Sequence, residues 1–169
     1  VVDFLYYPNQ TYAGNPWCFR GVGTVSGDKF YSALCDHKAP LGTSYLFEYD
    51  STKKTFRLLV NTARFLRSVG QITPQMNYSP GEIPTRIAFG SDGWLYYGTT
   101  RGSTTASSDR NGFKGEWVIR TDPVSGKSEV VSAYPVSRHC ILASVFDPER
   151  MIFYGGTASG DYSLKKVFF

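Results

Sequence analysis

Apolar and polar positions along this chain alternate in short runs broken by turn residues, and three such stretches lie over one another. In the first, an apolar run over 17–25 leads through a polar turn at 26–29 into an aromatic run over 30–35. The second has the same order: 86–90, a turn at 91–93, then 94–100. The third runs 141–146, a turn at 147–150, then 151–156. Apolar strand, tight polar turn and aromatic strand together spell a β-hairpin. Further strands follow at 44–49 and 55–60 after the first hairpin, and at 116–120 and 128–132 after the second. The third continues into 162–169. The aromatic strands begin at Phe30, Trp94 and Met151. Four strands recurring at that spacing predict blades, each needing neighbours to cover its faces. No stretch of a dozen residues places its apolar positions at helical spacing, which argues against a helical fold.

The expected fold is therefore all-β: a β-propeller with four-stranded antiparallel blades, about three of them present in one segment, 1–169. A lone strand is expected at 1–7, blade one at 17–60, blade two at 86–132 and an incomplete blade three at 141–169. One strand extra at the start and one missing at the end is the pattern of strand-exchange closure. Rings typically close with about four to eight blades, so the arc is expected to be a partial ring or half of an oligomeric one. Its partners are then the remaining blades of a longer parent chain or a second copy of itself. The chain opens on Val1 without a Met, and reads as a processed or excised piece.

The phrases GSDGWLYYGTT, YLFEYDSTKKTFRLL and FDPERMIFYGG resemble repeats of secreted bacterial propellers, of the gluconolactonase-like and streptogramin-lyase-like groups. That resemblance covers nearly the whole chain and lies in turn and strand phrases. It implies the fold and an extracellular or periplasmic location, and it transfers no site residue, because propellers host many unrelated functions.

Composition agrees with a folded all-β chain: 41% hydrophobic and 16% aromatic residues, with 17 Gly to punctuate the strands. The net charge of +4 is spread along the chain. No concentrated basic face points to nucleic acid, and no apolar run approaches the length of a membrane helix. Cys18, Cys35 and Cys140 show neither metal-ligand nor haem spacing, and read as small buried strand residues. With Val25 facing Phe30, Cys18 and Cys35 fall diagonally across the first hairpin, a geometry that does not favour a disulfide. Glycine-rich 21–27 has the wrong spacing for a nucleotide loop and leads into a strand, not a helix. Asp92 and Asp122 fall in hairpin turns, where they serve the backbone.

In a propeller, the connections sharing the channel face usually carry the ligand site. Those connections hold Asp36 and His37 in blade one, and Glu82, Arg86 and Arg101 in blade two. Blade three supplies His139. Aligned hairpins place His37 level with Arg101, and Glu82 level with His139, so both histidines of the chain share one predicted face. The first reading is a non-catalytic module that binds a small polar or glycan ligand, or a partner protein, through these residues. The alternative is a metal-assisted lyase or hydrolase acting on a polar or carbohydrate-like substrate. There His37 and His139 hold a divalent metal or move protons, aided by Glu82 or Asp36. No other cofactor is expected. The long connection 102–115 is rich in hydroxyl and amide groups. It reads either as a cover over such a ligand or as a surface insertion.

Overall fold

The computed structural model describes residues 18–36, 42–101, 109–160 and 167–168. Three antiparallel sheets dominate it. The first is a meander of β1 (Thr24–Ser26), β2 (Lys29–Asp36), β3 (Thr43–Asp50) and β4 (Thr55–Asn61) in that order. A short helix α1 (Thr62–Ser68) and a strand β5 (Pro80–Glu82) lead into the second sheet. That sheet holds β6 (Ala88–Phe89), β7 (Leu95–Gly98), β9 (Trp117–Thr121) and β10 (Ser128–Ala133), again neighbour to neighbour. Between β7 and β9, strand β8 (Thr100–Arg101) turns aside and pairs with β5. The third sheet is β11 (His139–Asp147), β12 (Ile152–Ser159) and β13 (Val167–Phe168).

All three expected hairpins form. Val25 pairs with Phe30, Phe89 with Leu95, and Phe146 with Phe153. The turn aspartates serve the backbone, as their positions suggest. Asp50 accepts from the amides of Thr52 and Lys53, and its carboxyl is held down to about 2 mainly by the Thr52 hydroxyl. Asp122 accepts from Val124 and Ser125, and Asp147 from Glu149 and Arg150. Asp92 accepts from the amide of Trp94.

The first two sheets also carry one device with its charges exchanged. In the first, the Tyr31 hydroxyl donates to Glu48, which is paired with Arg57 across β3 and β4 at 3.1 Å. In the second, the Tyr96 hydroxyl lies 3.3 Å from Arg120, which is paired with Glu129 across β9 and β10 at 2.6 Å. The order of acid and base is exchanged, and the Tyr96 hydroxyl in addition donates to the turn residue Asp92 at 2.7 Å. Each tyrosine also packs on the following sheet. Tyr31 meets Phe89 edge-on with centroids 5.4 Å apart, and Tyr96 stacks on Phe146 at 4.6 Å. Phe146→Ala is expected to lower unfolding free energy by about 2 kcal/mol through loss of this contact. Urea denaturation checks it, with an unchanged m-value marking loss of packing alone.

The main core lies between the first two sheets. Tyr31, Ala33 and Leu46 from one meet Tyr97, Trp117 and Ile119 from the other. Burial of each large side chain contributes about 1.5–3 kcal/mol. Trp117 is fully buried against Tyr134, and Trp94 lies under the Arg120 guanidinium at 4.5 Å; both tryptophans serve packing.

Two details depart from the sequence pattern. Helix α1 was not expected, since seven residues are too few to show a period. It forms because the Asn61 side chain caps it at the Arg64 amide, while Ala63 and Leu66 bury one face. The aromatic strand 94–100 is interrupted at Thr99, after which β8 leaves the sheet for β5. The lone strand expected at 1–7 lies outside the described residues, as do Trp17, His37 and 102–108 of the long connection.

Candidate functional site

The first strands of the three sheets run side by side and leave a groove. The amide of Ile87 donates to the carbonyl of Val22 at 2.9 Å, a parallel bridge joining the segments that enter β1 and β6. Strand β11 forms the far wall. The groove encloses about 520 Å3, and its walls include Thr24, Arg86, Phe89, Ser144 and Phe146. Arg86 is exposed there and makes no ion pair among the described residues. The Ser144 hydroxyl is buried without a hydrogen-bond partner among the described residues. A guanidinium that retains all its donors, set against apolar walls, suits the acidic group of a small ligand.

The other candidates lie elsewhere. Glu82 and Arg101 come together on the β5–β8 ribbon, where Glu82 pairs with Thr100, and Arg101 with Pro80. Glu82 also receives Arg20 at 3.7 Å. Asp36 is buried at the end of β2, opposite Thr43. His139 is buried at the start of β11, opposite Ser159, with Nδ1 2.8 Å from the Ser137 carbonyl. A carbonyl only accepts, so Nδ1 is the donor in this hydrogen bond. His37 lies outside the described residues. Among the described residues, no group of three or more His, Cys, Asp and Glu side chains is placed to hold a metal ion. Counted from the hairpin pairs, Asp36 stands level with Arg101, and Cys140 level with Glu82. The alignment by sequence had placed His37 and His139 there, one residue away.

A cluster that sequence reasoning missed lies beside this ribbon. Glu116 is fully buried just before β9. One carboxyl oxygen accepts from the Tyr78 hydroxyl, and the other lies 2.8 Å from Thr99 Oγ1. The Cys140 sulfur is 3.9 Å away. Tyr78 is itself held between Phe113, with centroids 4.7 Å apart, and Trp117. Burial pushes the Glu116 carboxyl up to about 8, against the opposing pull of these hydrogen bonds and of Arg101. Near neutral pH the carboxyl therefore favours its protonated form, and it shares a 2.8 Å hydrogen bond with the Thr99 hydroxyl. Thr99 Oγ1 also lies 3.3 Å from the Trp117 carbonyl and accepts from the Trp117 amide at 3.1 Å. Every group is satisfied and none is open to solvent, so this cluster organises the interior. A glutamate at a strand start normally faces water, and its cover comes from three distant segments; no local signal marks it.

Comparison with known proteins gives no matching family model, no matching curated protein and no matching solved structure. No helix among the described residues is long and apolar enough to cross a membrane. What the geometry itself defines is an all-β protein of antiparallel sheets sharing a groove along their first strands.

Proposed function

We propose that this chain is an arc of a β-propeller that serves as a binding module, with the groove along its first strands as the site. The supports for a propeller are the four-stranded meanders, the charge-exchanged tyrosine device and the tyrosine–phenylalanine contact from each sheet to the next. In this reading the contact series continues at both ends. Tyr154 stands level with Tyr31 and Tyr96 and is 52% exposed; Val25 stands level with Phe89 and Phe146 and is 65% exposed. Both positions await a further sheet, from the rest of a longer chain or from a second copy. The extracellular or periplasmic setting belongs to the same proposal and rests on the resemblance to secreted propellers.

One observation carries the ligand reading: Arg86 is exposed in the groove with no carboxylate partner among the described residues. The ligand is a small polar molecule with an acidic group, such as an acidic sugar. The test is a titration of the chain with uronic acids and their short oligomers, followed by amide chemical shifts. Binding is expected to move residues 86–89 and 143–146, and Arg86→Ala is expected to weaken it at least tenfold, about 1.4 kcal/mol. Absence of binding, or shifts confined to the β5–β8 ribbon, or affinity unchanged in Arg86→Ala, would each overturn the groove as the site.

A further inference from the structure

Cys18 and Cys35 do not lie diagonally, as the hairpin count by sequence has them; they are directly opposite one another. Thr24 pairs with Tyr31, whereas Cys18 pairs with Cys35, so six residues on one side span four on the other. The extra length is taken up around Gly21, whose φ is +80°. The Cys35 amide donates to the Cys18 carbonyl at 2.8 Å, which makes this a hydrogen-bonded cross-strand pair. Such pairs hold their Cα atoms about 5.5 Å apart, inside the window of roughly 4.4–6.8 Å that a disulfide spans. The Cys18 sulfur already leans over the partner strand, 3.9 Å from the Cys35 carbonyl oxygen. Cys140 is held on the third sheet beside Glu116 and does not compete.

We infer that Cys18 and Cys35 are a built pair of thiols that closes to a disulfide in an oxidising environment, pinning the segment that forms one wall of the groove. Cys18 is the point of entry, being partly exposed, while Cys35 is fully buried. The reaction is two exchanges with a low-molecular-weight disulfide. The Cys18 thiolate attacks one sulfur of that disulfide, forms a mixed disulfide and releases a first thiol, which takes up the Cys18 proton. Cys35 then attacks the Cys18 sulfur, and its proton leaves with the second thiol. Two protein thiols are oxidised, and one small disulfide is reduced to two thiols. Burial pushes the Cys35 thiol up to about 12, so the second exchange is the slow one. Burial and Glu82 also raise Cys18, with Arg20 partly offsetting them.

The bond would tether Arg20, and beyond it Val22, to β2 whether or not the groove binds an acidic ligand. The purified chain is incubated with glutathione disulfide, then alkylated and mapped by mass spectrometry without reduction. The expected result is an intact mass lower by two hydrogen atoms before alkylation, a gain of one alkyl group when the unfolded chain is alkylated, a linked Cys18–Cys35 peptide and the alkyl group on Cys140. The melting temperature is expected to rise by roughly 6 °C or more, as closure of a loop of this size predicts. Cys18→Ser, which leaves buried Cys35 in place, is expected to abolish both the mass change and the shift. Cys18 stopped at the mixed disulfide, a link involving Cys140, or thiols left unmodified would each overturn the inference.

Discussion

Glu116→Gln is expected to make the protein more stable at pH 8, by about 2 kcal/mol or more, while changing little at pH 5. The reason is the proton that the buried carboxyl retains. Below about pH 4.5 it is neutral in both folded and unfolded chains. From there to about 8 it stays neutral when folded but ionises when unfolded, so rising pH steadily favours the unfolded chain. The loss is complete once pH passes about 8. Glutamine keeps the shape and the hydrogen bonds of the neutral acid: its carbonyl accepts from Tyr78, and its amide donates to Thr99. It has no proton to lose. Urea denaturation across pH 5–8 distinguishes the two proteins. The wild type should lose stability toward pH 8 with a slope that the variant largely lacks. Parallel profiles would mean that Glu116 is ionised in the folded chain.

Gly21→Ala is expected to destabilise the protein severely, because the added methyl would press on two backbone carbonyls at once. The residue sits at φ +80°, and a Cβ there would lie 2.5 Å from the carbonyl oxygens of both Ile83 and Thr85. These are backbone atoms of the segment entering β6, so neither can swing aside as a side chain would. Relief requires separating the first strands of two sheets, at the place where Ile87 donates to Val22. The left-handed backbone alone costs about 1 kcal/mol, and the forced separation takes the total beyond about 3 kcal/mol. Gly27→Ala is the control: its φ is +56°, but nothing lies near the added carbon. Only the backbone cost of about 1 kcal/mol is expected there. Equal losses for the two variants in urea denaturation would show that the close approach at Gly21 does not matter.

The hairpins were legible because their information is local. A turn such as Ser91-Asp92-Gly93 between an apolar and an aromatic run specifies which residues face each other, and Phe89 duly pairs with Leu95. The candidate site was only partly legible. Arg86 was singled out from its place before the second hairpin, and it does line the groove. Asp36 and His139 were chosen by the same logic but are buried at strand ends. Position along a strand says which end a residue occupies, not what covers it.

The three hairpins, their turns and the antiparallel all-β class could be read from the chain, since alternation and turn chemistry act over a few residues at a time. Tertiary structure alone decided the rest. The two extra residues between Thr24 and Cys18 set the cysteines face to face. The cover from Tyr78, Phe113 and Cys140 turned Glu116 from a surface acid into a buried neutral one. The meeting of three first strands left Arg86 facing open space. Each depends on residues far apart in the chain, whose distances and burial are fixed only when the sheets pack.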